Sequence, residues 1–106
     1  MDLDWATEIQ PLIGSKEGIL HVTLAFCNPG DEVLIPNPGY PTYTAINKIL
    51  GTKITYYDLR EDNEWQPDFE ALEKMDLSHV KLMWTNYPNM PTGGVAKMET
   101  YERLVK

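Results

Sequence analysis

Residues 33–36, Val-Leu-Ile-Pro, constrain the fold more than any other stretch of this sequence. They form a short, continuous apolar run between two segments of turn-forming residues, 28–31 and 37–41. A strand that is apolar on both faces is buried on both faces, which is typical of a parallel sheet. Because parallel strands are joined through crossover helices, this run predicts an α/β fold.

The rest of the chain alternates between helical and extended patterns, as such a fold requires. A helix is predicted from Pro41 to a stop at Gly51. Its apolar stripe is formed by Tyr43, Ile46, Ile49 and Leu50. Further helices are predicted over residues 67–75 and 97–106, and strands over 53–57 and 80–84. The order predicts a three-layer αβα architecture with a mostly parallel sheet.

Residues 19–27 are apolar on nearly all sides, which predicts a helix buried on most of its surface. His21 within it is expected to be a packed core residue and not a metal ligand, since His79 is its only possible histidine partner. Residues 9–13 contain Pro11 and are expected to be an extended lead-in or an edge piece.

The 106 residues suffice for one small domain. Residues 1–8 are polar and are expected to be loosely ordered, and residues 9–106 are expected to form part of a larger domain. The last predicted helix has no stop signal, and a three-stranded sheet has open edges. We therefore expect a fragment of a longer protein, or a chain whose edges a partner covers.

The formal net charge of −7 argues against general nucleic-acid binding, which depends on basic patches. Half of the acidic residues, eight of sixteen, lie between residues 58 and 76, where they lack the spacing of a calcium loop and are expected to be solvated. No apolar run is long enough to span a membrane. Cys27 is the only cysteine, which favours a reducing, cytoplasmic location.

The segment Gly-Ser-Lys-Glu-Gly at residues 14–18 is predicted to begin the first helix and to hold a phosphate. The first amides of a helix lack intrahelical acceptors, and the helix dipole adds partial positive charge there. Ser15 can cap the helix and also donate its hydroxyl to a phosphate. The alternative is an ordinary capped helix start without a ligand. Because turns 37–41 and 86–94 follow strands, all three segments are expected to line one crevice.

Three segments together carry a resemblance to a known family: residues 14–18, residues 28–43 (NPGDEVLIPNPGYPTY) and residues 86–93 (NYPNMPTG). In this order and spacing they resemble the large domain of the class I/II pyridoxal-phosphate-dependent aminotransferases, of fold type I. The resemblance covers residues 8–106 and is nearest to the branch that contains the LL-diaminopimelate aminotransferases.

The resemblance implies roles for four residues. Ser15 and Lys16 match positions that hold the phosphate of the cofactor, pyridoxal 5'-phosphate, and Tyr40 matches the aromatic residue that stacks on its pyridine ring. The family has an asparagine directly before Pro-Thr-Gly, whose amide contacts the phenolic oxygen of the cofactor. Met90 stands there in this sequence and has no donor. Asn89 is expected to reach in its stead, or the contact is lost.

The resemblance also implies an enzyme that moves an amino group between an amino acid and a 2-oxo acid, usually as a homodimer. Such enzymes need a Schiff-base lysine, an acid on the pyridine nitrogen and an arginine for the substrate carboxylate. No residue of this chain matches those three positions, so we assign no catalytic residue and expect the chain to be inactive alone. Two alternatives stay open: a lyase of the same fold, and a non-catalytic α/β module that binds a phosphate-bearing ligand or a protein partner.

Overall fold

The computed structural model describes residues 1–106 and contains a three-stranded parallel sheet flanked by four helices. The strands are β1 (Glu32–Asn37), β2 (Lys53–Asp58) and β3 (Val80–Met83). The helices are α1 (Ser15–Phe26), α2 (Pro41–Leu50), α3 (Phe69–Lys74) and α4 (Met98–Val105). This element order confirms the predicted alternation of helix and strand.

Strand β1 is the centre of the sheet, whose order is β2-β1-β3. Residues 33–36 are all buried, as the apolar run predicts. Val33 lies opposite Ile54 of β2 and Leu82 of β3 in the parallel registers. Because β1 has a neighbour on both edges and helices over both faces, every backbone and side-chain position of this run is shielded from water.

Helices cover both faces of the sheet, which confirms the three-layer αβα architecture. On one face α1 and α2 form a core with β1, made of Ile19, Val33, Ile35 and Tyr43. On the other face α3 completes a second core, made of Leu34, Tyr57, Leu59 and Leu72. Alternate residues of β1 therefore feed the two cores in turn, as the pleat of a strand requires.

Helix α2 begins at Pro41 and ends at Gly51, whose φ of 74° is the left-handed conformation that favours glycine. Both bounds confirm the prediction, but the predicted apolar stripe is wrong at Ile49, which is 79% exposed. The buried face instead carries Asn47, whose Nδ2 donates to the carbonyl of Tyr43 at 2.8 Å. Asn47 is fully buried because its amide is satisfied within the helix and by Thr52.

The prediction that the first helix is buried on most sides is wrong. Only Ile19 and Thr23 of α1 are buried, while Leu24 is 54% and Phe26 66% exposed. His21 is also exposed, with Nδ1 3.9 Å from Glu17 Oε1, and is not the packed core residue that was expected. The reason is that α1 packs on α2 and β3 from one side only, and no other part of this chain covers the opposite side.

Strand β3 and helix α4 are more exposed than their patterns predict. β3 is an edge strand and only half-buried, because its outer edge has no neighbour. In α4, Met98 and Val105 are exposed, and the buried residue is Thr100, whose Oγ1 donates to Gln66 Oε1 at 2.5 Å. Helix α4 is therefore attached through this polar contact, while most of its apolar side chains are exposed.

The structure also bears on membranes and metals. None of the helices combines the length and the apolar character that crossing a bilayer requires. Histidine, cysteine and acidic side chains form no cluster of three or more that would suit a metal ion. The acids at the start of the acidic segment, on the short 3-10 helix Glu61–Asn63, are exposed, as expected for a solvated surface.

Candidate functional site

The three turn segments meet in one cleft, as their positions in the topology predict. The cleft has a volume of about 300 Å³ and is lined by Ser15, Ile19, Tyr40, Tyr43, Asn86 and Met90. These residues come from the start of α1, from the β1–α2 connection, from α2 and from the loop after β3. A larger hollow of about 470 Å³ lies beside Glu64 and Lys97, but those two charges pair with each other.

The start of α1 presents unpaired backbone donors to this cleft. The amides of residues 15–17 are the first of the helix and have no acceptor within the chain, and neither has the hydroxyl of Ser15. Because the positive end of the helix dipole lies at the same place, this terminus suits an anion such as a phosphate.

Glycine, and not Ser15, occupies the capping position of α1. Gly14 is the N-cap with φ 100°, and Ser15 is the first helical residue, so the predicted capping role of Ser15 is wrong. No atom lies within 4 Å of the place where a Cβ of Gly14 would stand. At Gly18 a Cβ would meet Leu12 at 2.5 Å, so Gly18 accommodates the lead-in segment and not a ligand.

Lys16 adds a full positive charge near the same terminus. Its Nζ lies 5.9 Å from the centroid of the Tyr40 ring, within the range of a cation–π contact. Hydrogen bonding with Thr42 and the charge of Lys16 together hold the pKa of Tyr40 below its ordinary value. Lys16 is exposed and forms no ion pair with a carboxylate, so its charge is available to an anion.

The rings of Tyr40 and Tyr43 line the opposite wall of the cleft, and Trp84 packs behind them. The rings of Tyr40 and Tyr43 meet edge to face, with centroids 6.0 Å apart and planes 87° apart. Tyr43 in turn stacks on Trp84, with centroids 5.1 Å apart and planes 21° apart. Since Tyr43 is buried, this stack fixes the orientation of Tyr40, whose half-buried ring offers a rigid apolar face.

The loop after β3 places Met90 in the cleft and Asn89 away from it. Asn89 is 3% exposed and does not line the cleft, and its Nδ2 donates to Thr92 Oγ1 at 2.7 Å. The donor on which its predicted role depends is therefore engaged within the loop. Met90 does line the cleft, but a thioether offers no hydrogen-bond donor.

The sequence does not predict a functional role for two residues of the cleft, Tyr43 and Asn86. Tyr43 fits the apolar stripe of α2 so well that its pattern predicts only a core residue. Asn86 lies in a loop rich in Pro, Asn and Gly, where composition predicts a turn and nothing more. The one available signal is that both carry a hydrogen-bonding group close to the carboxyl end of a predicted strand or the start of a helix.

Comparisons with known proteins agree with this geometry. A sequence model of the family "Aminotransferase class I and II" matches residues 1–106. An LL-diaminopimelate aminotransferase of Dehalococcoides mccartyi is 45% identical over 100 residues, which are 94% of this chain and 26% of that protein.

Solved structures give the same result. A substrate-bound structure of BacF from Bacillus subtilis is 41% identical, with a TM-score of 0.79 over 86% of this chain and 23% of that one. An alanine aminotransferase from Pyrococcus furiosus is 34% identical, with a TM-score of 0.82 over 87% of this chain and 23% of its own. The chain thus spans about a quarter of the length of the relatives that it matches.

Proposed function

This chain belongs to the class I and II aminotransferases, which are fold type I enzymes, and on that premise we propose that it holds pyridoxal 5'-phosphate in the cleft between α1 and Tyr40. The parent reaction is the transfer of an amino group from an amino acid to a 2-oxo acid. Within it these residues form part of the cofactor-binding large domain, residues 9–106.

The side chains and amides of the cleft fit this cofactor. The phosphate would be held by the free amides of residues 15–17, with the hydroxyl of Ser15 and the charge of Lys16 beside it. The pyridine ring lies against the face of Tyr40, which the Tyr43–Trp84 stack holds in place. When bound, the cofactor supplies the electron-accepting ring on which amino-group transfer depends.

The observation that carries the proposal is the set of free amides at the start of α1. The first amides of a helix have no acceptor within the helix, and many helix starts use a side-chain cap to pair one of them. In α1 a glycine occupies the N-cap position and no side chain pairs with the first amides. The start of the helix lies in the cleft beside Tyr40 and Tyr43. A phosphate on an aromatic cofactor satisfies both features at once.

We place the remaining parts of the activity outside these 106 residues. The lysine that carries the cofactor, the acid on its ring nitrogen and the arginine for the substrate carboxylate match no residue here. Because several relatives are named LL-diaminopimelate aminotransferase, LL-diaminopimelate is the first amino-group donor to assay. We further propose a cytoplasmic homodimer, on the resemblance alone.

Removal of the Tyr40 ring tests the proposal. In the protein expressed from its complete gene, we expect Tyr40→Ala to weaken retention of pyridoxal phosphate about fivefold or more, since one stacked ring contributes on the order of 1 kcal/mol. Tyr56→Ala is the matched control, because Tyr56 is 47% exposed on β2 and lies outside the cleft. Equal retention by both variants and the wild type would overturn the stacking role.

Product analysis separates an aminotransferase from a lyase of the same fold. Incubation with an amino acid and a 2-oxo acid should give the exchanged pair in equal amounts. A product formed from the amino acid alone, without consumption of the 2-oxo acid, would favour the lyase.

A further inference from the structure

Residues 64–66, which lie between the short 3-10 helix and α3, include two with a backbone conformation that is uncommon outside glycine. Glu64 has φ 53° and Trp65 has φ 60°, both in the left-handed region. Such a conformation persists only where the surrounding structure holds it, and it is often found near functional sites. Apart from bonds within its own connection, every hydrogen bond of this segment leads to the loop after β3 or to α4.

Two of these hydrogen bonds hold the loop after β3 on both sides of its Pro-Thr-Gly turn. Before the turn, the hydroxyl of Tyr87 donates to the carbonyl of Trp65 at 2.9 Å. After the turn, Nε2 of Gln66 donates to the carbonyl of Val95 at 2.9 Å. Gln66 is 6% exposed, so the second bond is shielded from water. One short segment therefore fixes both ends of this loop.

The part of the loop between these two ends is closed by its own hydrogen bonds. The backbone amide of Asn89 donates to the carbonyl of Gly94 at 2.7 Å. Oδ1 of Asn86 accepts the backbone amide of Met90 at 3.0 Å. Because the turn is closed in this way, its position as a unit depends on the bonds at its two ends.

The same segment also packs tightly against the turn. A Cβ at Gly94 would lie 2.7 Å from the Cβ of Trp65 and 3.3 Å from the carbonyl oxygen of Glu64. Lys97 pairs with the carboxylate of Glu64 on the same side. The two left-handed residues therefore lie in direct contact with the loop that carries Asn86 and Met90 into the cleft.

We propose that residues 64–66 are positioning residues for the cofactor. They fix the wall of the cleft that Asn86 and Met90 form, and through it the space for the pyridine ring. This inference rests on the proposed function. Residues 64–66 do not line the cleft, and none of their hydrogen bonds reaches α1. They therefore act on the ring end of the cleft and not on the phosphate end.

Two variants test this role, each of which removes one of the two hydrogen bonds. In the protein expressed from its complete gene, Tyr87→Phe and Gln66→Met should each raise the Kd for pyridoxal phosphate about threefold to tenfold, which is the effect of one lost hydrogen bond. The absorption maximum of the bound cofactor should shift in both. Inorganic phosphate, measured as a competitor, should keep its inhibition constant, because it needs only the start of α1.

Thr100→Val is the matched control, since it removes the hydrogen bond between Gln66 and α4 and leaves the bond from Gln66 to Val95. It should lower the unfolding temperature and leave both the Kd for pyridoxal phosphate and the absorption maximum unchanged. If Gln66→Met does not fold, Tyr87→Phe still gives the answer, because it removes a single hydroxyl from a half-buried ring.

The possible outcomes separate this inference from the proposed function. If the wild-type protein does not bind pyridoxal phosphate, both fail. If it binds the cofactor and the two variants bind it equally well, with an unchanged absorption maximum, the positioning role is wrong and the proposed function stands. The role is also wrong if the affinities for pyridoxal phosphate and inorganic phosphate fall in parallel, or if Thr100→Val raises the Kd as much as Gln66→Met does.

Discussion

Gln66 is the side chain on which the attachment of α4 depends. It is 6% exposed, and its Nε2 donates to the carbonyls of Val95 and Glu64 at 2.9 and 3.1 Å. Its Oε1 accepts the hydroxyl of Thr100 at 2.5 Å. One buried amide therefore joins the segment after β2, the chain before α4 and α4 itself, and it does so only while all its hydrogen bonds are made.

Thr100→Val tests this connection. The substitution keeps the shape of the side chain but leaves Gln66 Oε1 buried without a donor, so we expect the free energy of unfolding to fall by about 1–3 kcal/mol. Urea denaturation measures it. Thr44→Val is the control, because its Oγ1 meets the Tyr56 hydroxyl at 3.2 Å in an exposed pair, and it should change the stability by less than about 0.5 kcal/mol. Equal losses in both variants would contradict the role of Gln66.

Tyr87 gives the fold a pH dependence in the alkaline range. Burial raises the pKa of Tyr87 to about 12, from an ordinary value of 10.0, and its hydroxyl donates to the carbonyl of Trp65. Because the folded state holds this proton more tightly than the unfolded state, its stabilising effect is complete below about pH 10. It is lost as the pH rises through about 12.

We therefore expect the free energy of unfolding to decrease from pH 10 upwards, and to decrease less steeply in Tyr87→Phe, which has no proton to lose. The decrease should not vanish, since burial also raises the pKa of Tyr57. Unfolding by urea at several pH values measures the two slopes. Identical slopes would show that Tyr87 ionises equally easily in both states.

At the scale of elements, α1 and α3 begin in opposite ways. Asp68 caps α3, with Oδ1 accepting the amide of Ala71 at 3.0 Å. Helix α1 begins at Gly14 with no side-chain cap. Helices α2 and α4 also begin without a side-chain cap, so what distinguishes α1 is that its start lies in the cleft beside Lys16 and Tyr40.

The same substitution at the two starts should therefore have different effects. We expect Asp68→Ala to lower the free energy of unfolding by about 1 kcal/mol, the ordinary value of an N-cap. Ser15→Ala should leave stability unchanged without ligand, because the Ser15 hydroxyl makes no hydrogen bond. It should weaken the binding of inorganic phosphate. Chemical denaturation and phosphate titration measure the two effects, and a stability loss in Ser15→Ala equal to that in Asp68→Ala would contradict this account.

The bounds of an element can be predicted from the sequence where they depend on the conformational preferences of its own residues. The burial of a helix face depends on the neighbouring elements and cannot be predicted in this way. The run 33–36, Pro41 and Gly51 fix β1 and the bounds of α2 through their own conformational preferences. Burial of α1 and the orientation of Ile49 depend on what packs against a helix, which a single sequence does not state.

The same limit applies to the site. The sequence predicts that residues 14–18 begin a helix and that three turns meet, and both are confirmed. Whether Asn86 or Asn89 faces the cleft depends on the path of the loop after β3. That path includes a hydrogen bond from the backbone amide of Asn89 to the carbonyl of Gly94. Such loop geometry arises from several hydrogen bonds acting together, so residue type alone does not predict it.

On the scale of the whole molecule, several large apolar side chains remain exposed on the helices. Helix α1 carries Leu24 and Phe26, and α4 carries Met98 and Val105, which are 75% and 88% exposed. Strands β2 and β3 both have an open edge. Apolar patches and open edges of this kind favour association with another surface.

The 106-residue chain on its own should therefore self-associate. Sedimentation velocity should show species larger than the 12.1 kDa monomer. A double substitution of Leu24→Lys and Phe26→Glu should weaken the association, because it places charges at two exposed apolar positions of α1 without touching the core. Ile49→Lys is the control, since Ile49 is exposed on α2, and it should have a smaller effect. A monodisperse monomer at micromolar concentration would contradict this expectation.

The central claim is that α1 and Tyr40 together hold pyridoxal 5'-phosphate. The most direct test is a crystal structure of the protein, expressed from its complete gene, with the cofactor bound. We predict phosphate oxygens about 3 Å from amides of residues 15–17, and the pyridine ring on the face of Tyr40. A phosphate bound elsewhere, with those amides facing solvent, would contradict the claim.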